Sequence, residues 1–103
     1  MNNLGNLEET ILLLVMIMDQ PYGYALAEEY RQQTGQPISI SAVHTVLMRL
    51  EKKGLISSTM AGATEDRGGR RKRICQPTES GRAVIMAIRA NRMKLWGQIP
   101  GIE

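Results

Sequence analysis

The sequence predicts a mainly α domain with one small β-hairpin. Three observations point to it. Apolar residues recur at helical spacing in four separate stretches. Between the third and fourth, two short strand-like segments flank a glycine-rich loop. The chain is 103 residues long, 43% apolar and 22% charged, which describes a globular chain with room for one thin core.

The first helix is predicted from Leu7 through Met18, with Asn6 as its cap and Glu9 three residues on as a variant capping box. Ile11 to Met18 is apolar all round. That leaves two readings, a partner molecule covering one side or an over-apolar core helix in a monomer. Asp19-Gln20-Pro21 ends the helix, because the residue before proline disfavours the helical region. Tyr22-Gly23-Tyr24 opens a second helix that runs to about Thr34, with Leu26, Ala27 and Tyr30 inward and Gly35 as its stop. Gln36 to Ile40 reads as extended, a candidate short strand.

The third helix, about 41–53, is the best specified. Ser39 and Ser41 are both good N-caps. Val43, Val46, Leu47 and Leu50 form one apolar face, and Lys52, Lys53 and Gly54 mark the end. The opposite face carries Ser41, Thr45, Met48 and Lys52, flanked by His44 and Arg49. It is short, polar and cationic, with no acid at its centre, as a helix entering a DNA major groove requires. Two helices joined by a short connection, the second with such a face, follow helix-turn-helix logic.

Leu55–Met60 and Arg70–Gln76 pair as a hairpin, the wing, spanning about 55–77. Its tip, Ala61–Gly69, holds three glycines. Arg67, Arg70, Arg71, Lys72 and Arg73 place five cations in seven residues, suited to phosphate contacts or a minor groove. Pro77 cannot donate to a ladder and belongs at a strand end or edge. Thr78 or Ser80 caps a last helix, roughly Glu79 to Gln98. Its apolar surface, with Val84, Ile88, Met93, Leu95 and Trp96, is broader than a lone surface helix needs, and dimerisation is its simplest use.

The net charge of +3 is unevenly spread: −4 over residues 1–40, +5 over 41–73 and +2 over 74–103. Positive charge gathers around the third helix and the wing, the electrostatic footprint of a nucleic-acid binder or, more blandly, a solvated basic face. The longest apolar run has eight residues, too few to span a bilayer, and no basic segment precedes it as in a signal peptide. A single cysteine excludes an internal disulfide and suits a reducing compartment, so a cytoplasmic protein is expected, with no membrane partner. One Cys and one His cannot make a four-ligand zinc site, and no cofactor is expected. No acid is paired with the single His, no glycine-rich phosphate loop precedes a helix, and Cys75 has no motif, so nothing points to an enzyme. Cys75 reads as a small strand residue before a redox switch, His44 as a polar contact before a pH sensor, and Met16, Met18, Met48, Met86 and Met93 as packing before a metal or ligand site.

The order helix, helix, helix, basic-tipped hairpin, helix is that of a winged helix-turn-helix DNA-binding domain (1–78) with a C-terminal dimerisation helix and tail (79–103). The motifs are more specific. Tyr22-Gly23-Tyr24, then Ser41-Ala42-Val43-His44-Thr45 with Arg49-Leu50-Glu51 and Gly54-Leu55-Ile56, then Gly69-Arg70-Arg71-Lys72-Arg73, then Thr78-Glu79-Ser80-Gly81 resemble the PadR family of bacterial transcriptional regulators. The resemblance runs from about Leu7 to Gly81.

It implies a homodimeric repressor on a palindromic operator in double-stranded DNA, with recognition helix and wing at Ser41–Lys53 and Thr64–Lys72. The expected DNA-contacting residues are Tyr24, Ser39, Ser41, His44, Thr45, Met48, Arg49, Lys52, Arg67, Arg70, Arg71 and Lys72. The family's dimer uses the first and last helices, which implies an interface of Leu7, Ile11, Leu14, Val15, Met18, Val84, Ile88, Leu95 and Trp96. Some small members bind planar drugs between the final helices through a tryptophan, which makes Trp96, although far along its helix, a ligand candidate for an unidentified small-molecule effector beside its first reading as dimer packing. The chain departs from the family at His44, where a tyrosine is usual, at Ile74 and Cys75, where aromatics are usual, and at Pro77 in place of an aliphatic. A phosphate contact by a tyrosine hydroxyl at 44 therefore does not carry over intact, although histidine can also donate to phosphate. The alternative function is a winged helix used as a protein-interaction module, without sequence-specific DNA binding.

Overall fold

The computed structural model describes residues 4–61 and 72–101. In chain order it contains α1 (Asn6–Ile17), α2 (Gly23–Thr34), α3 (Ile40–Lys52), β1 (Ile56–Met60), β2 (Arg73–Pro77) and α4 (Glu79–Trp96).

Gly5, extended, is the cap of α1, and the Glu8 carboxylate accepts its backbone N–H at 2.9 Å. The expected box on Asn6 and Glu9 is therefore displaced by one residue. The displacement has a tertiary consequence. It turns Glu8 inward, where Lys53 at the end of α3 donates to both carboxylate oxygens at 3.0 and 3.2 Å. Glu9 is left to accept from Arg92 of α4 at 2.7 Å. α1 ends at Ile17, one residue earlier than expected, with Met18 extended.

α2 closes on Gly35 at φ +73°, the left-handed conformation that glycine adopts without steric cost. The candidate strand at 36–40 does not form. Pro37 has no N–H for a ladder, and the Gln36 N–H is taken by the Thr34 hydroxyl at 3.1 Å. The segment is instead a lead into α3, whose N-cap is Ser39: its hydroxyl accepts from the Ala42 N–H at 3.0 Å. Val43, Val46 and Leu50 of α3 are buried as the spacing requires, and Gly54 at φ +75° turns the chain into the hairpin.

β1 and β2 are antiparallel, in a register that sets Ile56 opposite Pro77 and Met60 opposite Arg73. β2 runs Arg73–Pro77, so it leaves out Lys72 and takes in Pro77 at its end, while Arg70 and Arg71 of the expected strand lie outside the described residues. On its free side the Cys75 N–H donates to the Pro21 carbonyl at 2.8 Å, pinning the hairpin to the α1–α2 connection.

Thr78 caps α4 and also ties it to the hairpin. Its hydroxyl oxygen accepts from the Gly81 N–H at 3.0 Å, its proton goes to the Gly54 carbonyl at 2.7 Å, and its own N–H goes to the Leu55 carbonyl at 3.1 Å. α1, α2, α3 and the hairpin close over one core centred on Ile11, Leu12, Leu26, Val43, Leu50 and Leu55, with Ile85 as the buried contribution of α4. Beyond Ile88 every described residue of α4 is exposed. The helix projects from the body, which gives the molecule its 55 × 28 × 21 Å extents.

Candidate nucleic-acid interface

With the apolar face of α3 consumed in the core, its other face is free. Ser41, His44, Thr45, Met48, Arg49 and Lys52 are all exposed. Met48, at 72% exposure, is the most open large apolar side chain described. The Thr45 hydroxyl donates to the Ser41 carbonyl one turn back at 3.1 Å, so its proton is already used. Ser39, expected to touch DNA, has its hydroxyl engaged as the cap.

α2 meets α3 at Gly23. A Cβ there would lie 2.6 Å from Nε2 of His44, so the imidazole rests on bare backbone. This gives the Tyr22-Gly23-Tyr24 motif a physical reason: the glycine lets the start of α2 approach α3, and Tyr24 stands exposed beside it.

The base of the wing is more tied down than composition suggested. The Lys72 ammonium lies over the Tyr22 ring, 4.7 Å from its centroid. Arg73 donates to the Ser58 hydroxyl at 3.0 Å, and that hydroxyl lies 3.4 Å from both carboxylate oxygens of Glu51 on α3. These bonds join both strands to α3, and sequence reasoning missed them because all three groups looked merely solvated. Arg67, Arg70 and Arg71 lie outside the described residues.

A groove of about 400 Å³ runs between α3 and β2, lined by Gly23, His44, Leu47, Met48, Glu51, Arg73 and Cys75. Burial, with Glu51 nearby, pushes the Cys75 thiol up to about 11, so it is a packed thiol and not a thiolate nucleophile. Among the described residues no group of three His, Cys, Asp or Glu could hold a metal ion.

The expected dimer set divides. Ile11, Leu14 and Val15 are fully used by the chain's own core and have no surface left for a partner. The large apolar side chains that α1 leaves exposed are Leu13 and Ile17, the latter at 65%, neither of which sequence reasoning chose. Leu7, Met18, Val84 and Ile88 are half-buried. Leu95 and Trp96 stand open at 56% and 58%, with Met86 and Met93 on the same helix. Helical spacing identified apolar sides of α1 but could not say which of them α2 and α3 would cover.

Residues 12–87 match the transcriptional regulator PadR-like family. The chain belongs to that family. PadR-like proteins are transcriptional regulators and not enzymes, in keeping with the lack of any catalytic motif in the sequence. Solved structures share the fold. A PadR family regulator from Eggerthella lenta is 24% identical, with 84% of this chain and 73% of that one covered at a TM-score of 0.68. A PadR-like regulator from Bacillus cereus is 20% identical, with coverage of 86% and 82% and a TM-score of 0.72. A Streptococcus transcriptional regulator is 21% identical, with coverage of 93% and 90% and a TM-score of 0.74. At these identities the likeness speaks for the PadR-like winged-helix fold alone. No curated protein matches the chain. Among the described residues, no helix is long and apolar enough to cross a membrane.

Proposed function

We propose that this PadR-like regulator is a cytoplasmic homodimeric repressor that binds a palindromic operator. The observation that carries this is the outward face of α3: six exposed residues, cationic at its C-terminal end and without an acid at its centre, on a helix whose other face is anchored in the core. Residues 1–78 form the DNA-binding unit. Ser41, His44, Thr45 and Met48 occupy the first turns of α3, the part of a recognition helix that reaches base edges. Arg49 and Lys52, with the wing cations Arg67, Arg70 and Arg71, address phosphates. Tyr24 stands where α2 would cross the backbone. Lys72, held over Tyr22, positions the wing more than it reaches out.

Residues 79–103 supply the dimer contact. A two-fold copy that covers Leu13 and Ile17 of α1 together with Met86, Met93, Leu95 and Trp96 of α4 buries the large apolar side chains that these two helices leave exposed. Such an arrangement sets two α3 helices about 34 Å apart, one turn of DNA, and so calls for an inverted repeat. Trp96 is placed first in dimer packing; a small-molecule effector at that interface is the secondary assignment.

The test is selection of bound sequences from a randomised double-stranded pool. Enrichment of an inverted repeat, bound on the order of 10³-fold more tightly than bulk DNA, is the expected result. Recovery of no preferred sequence would overturn the operator reading and favour the protein-interaction module.

A further inference from the structure

Four side chains face the groove-entering side of α3 in its first turns, and their chemistry is not evenly hydrogen-bonding. Ser41 offers a hydroxyl and His44 an imidazole. Thr45 has already donated its proton to the Ser41 carbonyl and retains a methyl group and oxygen lone pairs. Met48 offers no donor, and at 72% exposure its thioether is the most prominent feature of the face. Met48 also lines the groove between α3 and β2, whose other apolar lining is Leu47 and Cys75. An unbranched side chain beside open space can bend to follow a partner's shape.

A thioether pressed on a base edge discriminates by what it cannot do. Guanine, adenine and cytosine present donors or acceptors in the major groove, and covering those with carbon strips their water without replacing the hydrogen bond. Thymine alone adds an apolar group there, the C5 methyl. We propose that Met48, assisted by the Thr45 methyl, is a specificity-determining contact that reads thymine through its C5 methyl. The assignment rests on the operator reading given above and adds to it the identity of the base.

The experiment replaces each thymine of the selected operator, one at a time, by uracil, which removes only the methyl. Binding is then measured for the intact protein and for Met48→Ala and Met48→Leu. For the wild-type chain, uracil at one or two positions in each half-site weakens binding about fourfold, the worth of one buried carbon. Met48→Ala binds the thymine operator more weakly and no longer distinguishes uracil at those positions. Met48→Leu, still apolar and long, keeps the distinction. Because residue 48 is so exposed, both variants fold. Specific binding of the selected operator that tolerates uracil at every position would overturn the thymine assignment and leave the operator reading standing. Failure of the pool to yield any operator would overturn both.

Discussion

The backbone of Gly81 lies against the carbonyl oxygen of Leu55, so close that a Cβ at position 81 would overlap it. The junction is where α4 leaves the hairpin, and Thr78 locks it through Gly54 and Leu55. Alanine within a helix ordinarily stabilises relative to glycine by about 0.5–1 kcal/mol. Here the sign reverses, because the clash is with backbone and cannot be relieved by a rotamer change. Gly81→Ala should lose about 2–3 kcal/mol, the scale of overpacking a tight core. Urea unfolding reads it. A stabilised variant would mean that the junction yields.

Gly23 presents the opposite case. The atom that a Cβ would meet is His44 Nε2, the far end of a side chain that can swing. Gly23→Ala should therefore leave stability within about 1 kcal/mol of wild type, since alanine's better helix propensity offsets the cost of moving the ring. It should displace the imidazole and weaken operator binding several-fold. Equal binding by the two proteins would show that His44 has no part in recognition.

Acid should loosen the fold through Glu8. The Gly5 N–H, and then Lys53, hold its carboxyl below the ordinary value of 4.5, against the opposing effect of burial. A carboxylate whose folded pKa is depressed contributes stability that is fully present above its unfolded pKa and is lost as pH falls through the folded one. Glu8→Gln keeps an acceptor for Gly5 but drops the charge that Lys53 pairs with. The variant should be less stable near neutrality, and the gap to wild type should close below pH 4.5. Denaturant midpoints measured from pH 7 to pH 3 test this; a gap independent of pH would remove Glu8 from the acid response.

Assembly is best probed at Leu95, which is 56% exposed on the projecting half of α4 and takes no part in the chain's own core. Ile88 is already half-buried within the single chain, so a charge there would confound dimer loss with unfolding. Leu95→Glu should leave the circular dichroism of the fold unchanged. It should raise the dimer Kd more than a hundredfold, on the order of 3 kcal/mol for a charge buried without a partner. Sedimentation velocity distinguishes the outcomes, and an unaltered dimer would place the interface elsewhere.

Replacing Arg70 and Arg71 by alanine should weaken binding to all sequences alike. The slope of log K against log salt should flatten by about 0.9 for each phosphate that the variant no longer neutralises. A slope that does not move would mean that neither side chain touches the DNA backbone.

Much of the fold was readable in the residues, because its decisive signals are local. Val43, Val46 and Leu50 lie on one face of any helix that Ser39 starts and Gly54 stops, whatever surrounds it. Gly35 ends α2 and Thr78 starts α4 for equally short-range reasons, a left-handed glycine and a hydroxyl within reach of an N–H three residues on. The outward set Ser41, His44, Thr45, Met48, Arg49 and Lys52 followed from the same periodicity and is exposed as expected. What tertiary structure decided are pairings between residues far apart in the chain, which no periodicity encodes. It turned Glu8 toward Lys53 and Glu9 toward Arg92, spent Lys72 on Tyr22 and Arg73 on Ser58, and rested His44 on Gly23. It also covered Ile11, Leu14 and Val15 while leaving Leu13 and Ile17 open. An apolar run announces that burial is required; only the packing of α2 and α3 against α1 determines which of its sides remains for another molecule.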